Sequence, residues 1–241
     1  MRRLQFAEEE FYHIYNRGVD KRVIFSGQAD YDRFEAYLYI LNDTESPRAA
    51  NFFNGRRNEE LYSSARTQQL VAIGAYCLMP NHFHILLTPL IENGVSKFMQ
   101  KLQTAYTMYF NEKYVRNGSL LQGTFKAEHA DRDEYLKYLY AYIHLNPAKL
   151  FNAEWKQKEK HELQYLGSSA LDYRYSSAGE YLTGKYVITS PKHFPQYFAR
   201  TKDLDAYIKY WQKYKDEERK ESSEPTNSTT KKVRVSSSRS Q

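Results

Sequence analysis

The stretch 70-LVAIGAYCLMPNHFHILLTP-89 reads as two adjacent strands. The runs 70-LVAIGAYCL-78 and 82-HFHILLT-88 are rich in apolar and β-branched residues, and only Pro80-Asn81 separates them. Pro89 closes the second run, because it cannot donate to a ladder. Side chains two apart on a strand share a face. His82 and His84 therefore point one way, and Phe83, Ile85 and Leu87 the other. Two imidazoles in register after a turn are either satisfied core residues or convergent ligands of a divalent metal. No Cys pair or His-x-x-x-His lies nearby to complete a tetrahedral zinc set.

Upstream, 11-FYHIYNRG-18 reads as a strand ended by Gly18, and 29–42 as a helix with Phe34, Leu38 and Leu41 on neighbouring faces. Residues 43–69 turn polar and read as a surface insertion containing 54-NGRRNEE-60. Downstream, Val95, Phe98, Met99, Leu102, Tyr106 and Tyr109 give helical spacing over 95–114. The stretch 123-GTFKAEHA-130 alternates as a strand. Asp131 or Asp133 is the expected cap of a helix over 134-EYLKYLYAYIHLN-146, which ends at or before Pro147.

The order β-α-β-β-α-β plus a further helix predicts an α+β fold. Its form is the ferredoxin-like split βαβ, an antiparallel sheet with helices packed on one face. The domain boundary falls near 150. Residues 151–214 form a C-terminal helical or irregular extension that includes 172-DYRYSSAGEYLTG-184 and a helix candidate at 202–214. Residues 215–241 hold no aromatic residue and read as a disordered, basic, Ser-rich tail.

Composition narrows the function. The 241 residues carry 35 Lys+Arg against 29 Asp+Glu, a net charge of +6 that leans towards a polyanionic partner. Twenty-three Tyr and 13 Phe supply faces able to stack on unpaired bases, although most such rings serve packing. Mean hydropathy is −0.79. The N-terminus MRRLQFAEEE lacks a signal-peptide apolar run, and no stretch approaches the roughly 20 apolar residues of a membrane helix. Cys77 is the one cysteine, so no internal disulfide forms. The expectation is a soluble, cytoplasmic protein.

Tyr142 and Asn146 stand four apart and share a helical face. A tyrosine and an amide oxygen there would reach a metal held by the sheet. Tyr135, Tyr138 and Tyr140 crowd the same helix, and spacing does not choose among the four.

Four segments in order, 11-FYHIYNRGVDKRVIF-25, 76-YCLMPNHFHILL-87, 121-LQGTFKAEH-129 and 138-YLYAYIHLNPAKL-150, resemble the single-tyrosine HUH transposases. These include the insertion-sequence type and the relatives associated with repetitive extragenic palindromes. The resemblance spans roughly residues 10–150. It implies that His82 and His84 are metal ligands, Asn146 the third ligand, Tyr142 the nucleophile, and Mg2+ or Mn2+ the metal. It further implies transesterification on hairpin-bearing single-stranded DNA through a 5′-phosphotyrosine, by a monomer or homodimer that is nucleoid-associated when bound to DNA. Arg17, Lys21, Arg22 and Lys126 are the expected phosphate contacts. The alternatives are a non-catalytic DNA-binding protein derived from a transposase, and a metal nuclease that activates water.

Overall fold

A computed structural model describes residues 4–45, 58–63, 66–155, 158, 160–197, 206 and 208–211. The centre of the polar insertion, most of the 202–214 helix candidate and the 215–241 tail lie outside these residues. Four strands, β1 (Tyr12–Arg17), β2 (Val71–Met79), β3 (His82–Pro89) and β4 (Lys126–His129), form one sheet in the order β2-β3-β1-β4. Every pairing is antiparallel. With α1 (Gln28–Ile40) between β1 and β2, and α3 (Gly94–Lys113) between β3 and β4, this is the split βαβ arrangement. The short α2 (Asn58–Tyr62) lies within the insertion.

Both faces of β2 are buried, and the sequence shows why. Val71, Ile73, Tyr76 and Leu78 join Phe34, Leu38, Phe98, Met99 and Leu102 in the core beneath α1 and α3. Ala72, Ala75, Cys77 and Met79 face the other way. They meet Leu136, Leu139, Tyr140 and Ile143 of α4 (Asp133–Leu145). Packing on one face therefore describes α1 and α3. The opposite face is covered by α4 and the C-terminal segment, because a continuous apolar strand needs two partners.

The switch of parity in β2 occurs at Gly74, where the β2–β3 register slips between Ile73 and Ala75. A Cβ on Gly74 would sit 2.7 Å from both Phe194 and the Tyr140 hydroxyl, so only glycine lets those rings close on the strand.

The cap of α4 departs from expectation. Arg132 stands at the N-cap without a side-chain bond, while Asp133 occupies the first turn and pairs with Lys137 at 2.5 Å. There its charge complements the helix dipole. At the other end, Asn146 is the C-cap, and Pro147 leads into the short α5 (Ala148–Phe151).

The segment beyond α5 is built onto the sheet. Leu78 N donates to Tyr175 O and Ser177 N to Tyr76 O, each at 2.9 Å, so residues 175–177 cover the outer edge of β2. His144, fully buried, shares a 2.8 Å hydrogen bond with Ser177 Oγ. Burial pushes its imidazole down to about 3, so it stays neutral. With α6 (Lys160–Leu171) and α7 (Ala178–Thr183), the buried Trp155 and Trp211 rings complete this layer, stacked at 4.7 Å.

The insertion is pinched at its neck. Asn42 bonds Leu70 N, Val71 N and Val71 O, and the Asp43 carboxylate accepts from Glu45, Thr67 and Gln68.

On the α1 face, Glu35 is buried and accepts a 3.0 Å bond from the Tyr76 hydroxyl. Burial pushes its carboxyl up to about 7, despite the opposing pull of Tyr76 and Arg174. Because the folded value is raised, its stabilisation is full below about pH 4.5 and is lost as pH rises through 7. Glu35→Gln removes that loss. Each tenfold difference in proton affinity between the folded and unfolded chain is worth ~1.4 kcal/mol. The variant should therefore match wild type near pH 4.5 and exceed it by about 3 kcal/mol at pH 8. Urea titrations at the two pH values read the difference.

Candidate nucleic-acid cleavage site

Strand periodicity and register assemble one polar face. Tyr15 of β1 pairs with His84 on one side and Lys126 on the other. Arg17 pairs with His82, and His13 with Glu128. Phe83, Ile85 and Leu87 go to the opposite core, as the two-residue alternation requires.

His84 is buried, and its Nδ1 lies 2.9 Å from His13 Nε2. His82, at the strand start, has Nδ1 2.6 Å from Asn81 Oδ1. Burial, helped by the charges of Lys149 and Arg17, pushes the His82 imidazole down to about 4. A neutral ring with a lone pair is what metal ligation needs.

Helix α4 closes over this face. The Tyr142 ring meets His84 edge to face at 5.3 Å and His13 at 6.0 Å. Tyr138 stacks on Tyr142 at 5.7 Å, and Tyr135 on Tyr138 at 6.2 Å. Tyr140 turns away into the C-terminal layer, against Tyr181 and Phe194. The structure thus divides the four tyrosines that spacing left equivalent. Tyr135, Tyr138 and Tyr142 line a cleft of about 330 Å³ with His13, Tyr15, His84 and Glu128.

Glu128 is the anionic hub of the cleft. It accepts from Tyr15 at 2.7 Å and Tyr135 at 3.0 Å. His13 Nδ1 stands 3.8 Å away, facing the carboxylate but beyond ordinary hydrogen-bond length. His13 first, then the two phenols, hold the carboxyl down at about 2 against its desolvation. The Tyr15 phenol is correspondingly pushed up to about 12, by burial and then by Glu128. Burial also raises Tyr142, and Asn146 works against that rise.

Asn146 is fully buried, and neither polar atom of its amide makes a hydrogen bond of ordinary geometry. An orphaned amide costs about 1–3 kcal/mol and calls for a ligand or a functional reason. Among the described residues, no group of three or more His, Cys, Asp or Glu side chains is placed to hold a metal ion. A protein shell here would consist of the two imidazoles and the Asn146 oxygen. That donor set fits Mg2+ or Mn2+, which keep waters and take substrate phosphate oxygens.

Of the expected phosphate contacts, Arg17 and Lys126 lie on the site face, with Lys126 Nζ 5.9 Å from the Tyr15 ring centroid. Lys21 and Arg22 are exposed at the turn beside Asn81, whose Nδ2 donates to Lys21 O. Sequence reasoning missed His13, Tyr15, Glu128 and Lys149. The cation of Lys149 lies 5.6 Å from the Tyr142 ring centroid. A usable signal existed for two of them, because His13 and Tyr15 share the parity of Arg17.

The cleft thus brings together a tyrosine, paired imidazoles and flanking cations. Residues 50–146 match the family model described as "Transposase IS200 like". A solved structure titled as a REP-associated tyrosine transposase bound to a REP hairpin aligns at a TM-score of 0.46 and 13% identity. The alignment covers 83% of this chain and 97% of that one. No curated protein matches. Among the described residues, no helix is long and apolar enough to cross a membrane.

Proposed function

We propose that this chain is a metal-dependent transposase whose catalytic unit lies within residues 1–150. It cuts and rejoins hairpin-bearing single-stranded DNA by transesterification. The observation that carries the reading is Tyr142 set edge-on against His84 at the wall of an open cleft, with Asn146 one turn further on. Tyr142 Oη loses its proton and bonds to the scissile phosphorus. The bond from phosphorus to the 3′ oxygen breaks, and that oxygen leaves as a hydroxyl after taking up a proton. The strand keeps a 5′-phosphotyrosine link, which a second 3′-hydroxyl resolves by the reverse attack. No external energy source is needed.

His82, His84 and Asn146 would hold the Mg2+ or Mn2+. The ion would supply polarisation of the scissile phosphate and neutralisation of transition-state charge. The chain's own residues do the rest. Burial disfavours the free phenolate of Tyr142 and Asn146 works against that effect, while the Lys149 cation stands 5.6 Å from the ring centroid. Arg17 and Lys126 flank the phosphate path, and the stacked Tyr135 and Tyr138 offer aromatic faces to unpaired bases. The hairpin preference rests on the sequence resemblance.

Denaturing gels of the full chain with a hairpin library in single-stranded form and Mg2+ test this reading. Wild type should give a covalent protein–DNA band that chelator removes, and His82→Ala should lower it by at least about 100-fold. Binding without an adduct would favour the non-catalytic alternative. Cleavage without an adduct would favour the water-activating nuclease.

A further inference from the structure

Imidazole binds a metal only through the ring nitrogen that carries no proton, so the tautomer of each histidine decides whether it can ligate. At both histidines the neighbouring contacts fix that choice. Asn81 Nδ2 donates to the Lys21 carbonyl at 3.1 Å, which cannot donate in return. The amide orientation is thereby set, with Oδ1 turned towards His82 Nδ1 at 2.6 Å. An amide oxygen is an acceptor only, so the proton of His82 sits on Nδ1.

His84 is set through a longer chain. Glu128 accepts from the phenols of Tyr15 and Tyr135, and its carboxylate faces His13 Nδ1 at 3.8 Å. Facing a carboxylate, a lone pair is repelled and an N–H is attracted, so the neutral His13 ring carries its proton on Nδ1 and a lone pair on Nε2. That lone pair lies 2.9 Å from His84 Nδ1, which must then be the donor.

We propose that Asn81, and Glu128 acting through His13, are positioning residues that hold His82 and His84 in the same tautomer, protonated at Nδ1, so that both present Nε2 to a divalent cation. The proposal rests on the metal-dependent reading above, but it concerns the metal-free protein and is tested there. The two halves reach the histidines from different elements. The β2–β3 turn sets one, and the β1–β4 pair sets the other. The MPN before the first histidine thus has a chemical task beyond making the turn. The β1 histidine and the β4 glutamate share a second task across 115 residues of sequence.

The experiment is long-range 1H–15N correlation NMR on metal-free full chain labelled at histidine, followed by calorimetric titration with Mn2+ alone. His82 and His84 should both show a protonated Nδ1 and an unprotonated Nε2. Glu128→Leu, which removes the acceptor at a side chain 49% exposed and so tolerant of the change, should leave the fold intact by circular dichroism. In that variant His84 should become a tautomer mixture while His82 is unchanged, and Mn2+ affinity should fall by about 10- to 100-fold. Asn81→Asp keeps an acceptor towards His82 and should preserve its tautomer, whereas Asn81→Leu should lose it. An Nε2–H signal for either histidine in the wild type overturns the proposal, as does an unchanged His84 tautomer in Glu128→Leu. Either result leaves the DNA adduct untouched, so failure here is separable from failure of the transposase reading.

Discussion

Tyr142→Phe should abolish strand cleavage and the covalent adduct, lowering the rate by at least about 10⁴-fold, as loss of a nucleophile does elsewhere. The substitution removes one oxygen and leaves the ring. Its edge contact with His84, its stack on Tyr138 and its cation contact with Lys149 all survive. The thermal midpoint should therefore hold. DNA affinity should change little, because the Arg17 and Lys126 side chains are intact. Tyr138→Phe is the matched control: it sits on the same wall of the cleft, yet a phenylalanine there keeps the stacking surface. It should retain the adduct. Equal loss from both variants would mean that the wall, rather than the Tyr142 oxygen, carries the effect. Single-turnover kinetics of adduct formation read both.

The largest effect on stability should come from Asp30. This fully buried carboxylate takes Lys113 Nζ at 2.6 Å, the Tyr114 and Tyr109 hydroxyls at 2.7 and 3.0 Å, and the Ser26 and Gly27 amides at 2.8 and 3.1 Å. Burial opposes its charge, but these bonds outweigh it and bring the carboxyl below its ordinary value. It therefore ties the start of α1 to the end of α3, far from the cleft. Asp30→Ala strands an ammonium and four further donors at once. The expected cost is about 3 kcal/mol, the low end for breaking a buried pair, since Lys113 is one-third exposed and regains some hydration. That is a large share of the roughly 5–15 kcal/mol that holds a typical domain. Denaturant midpoints measure it. Because the folded value is lowered, the Asp30 contribution is present above about pH 4 and is lost as pH falls further.

The elements were legible where hydrophobic period was strong. The 95–114 helix and the two strands around Pro80-Asn81 appear within a residue or two of their expected bounds. The opposite faces of His82/His84 and Phe83/Ile85 followed from a period of two. The unbroken run 70-LVAIGAYCL-78 also carried a message that one-sided packing ignored, since a strand without polar alternation is buried on both faces. Other features were out of reach for physical reasons. The slip at Gly74 depends on two rings arriving from residues 140 and 194. The contact of His13 with Glu128 depends on strand register across distant segments, which composition does not encode. Capping at α4 followed the geometry of the entering chain, which put Arg132 where an aspartate was expected. Among the tyrosines, residues 138 and 142 lie one turn apart and face the cleft, whereas Tyr140, two away from each, faces the C-terminal layer. Spacing places 138 and 142 together, but only the packed sheet says which face is the site.

The central claim is the identity of the atom that becomes bonded to DNA, and peptide mapping addresses it directly. The full chain is reacted with an adduct-forming hairpin substrate and Mg2+, digested with nuclease and trypsin, and sequenced by tandem mass spectrometry. The nucleotide remnant should lie on Tyr142 within the peptide 138-YLYAYIHLNPAK-149. A remnant on Tyr138, Tyr140 or any residue outside that peptide would contradict the account.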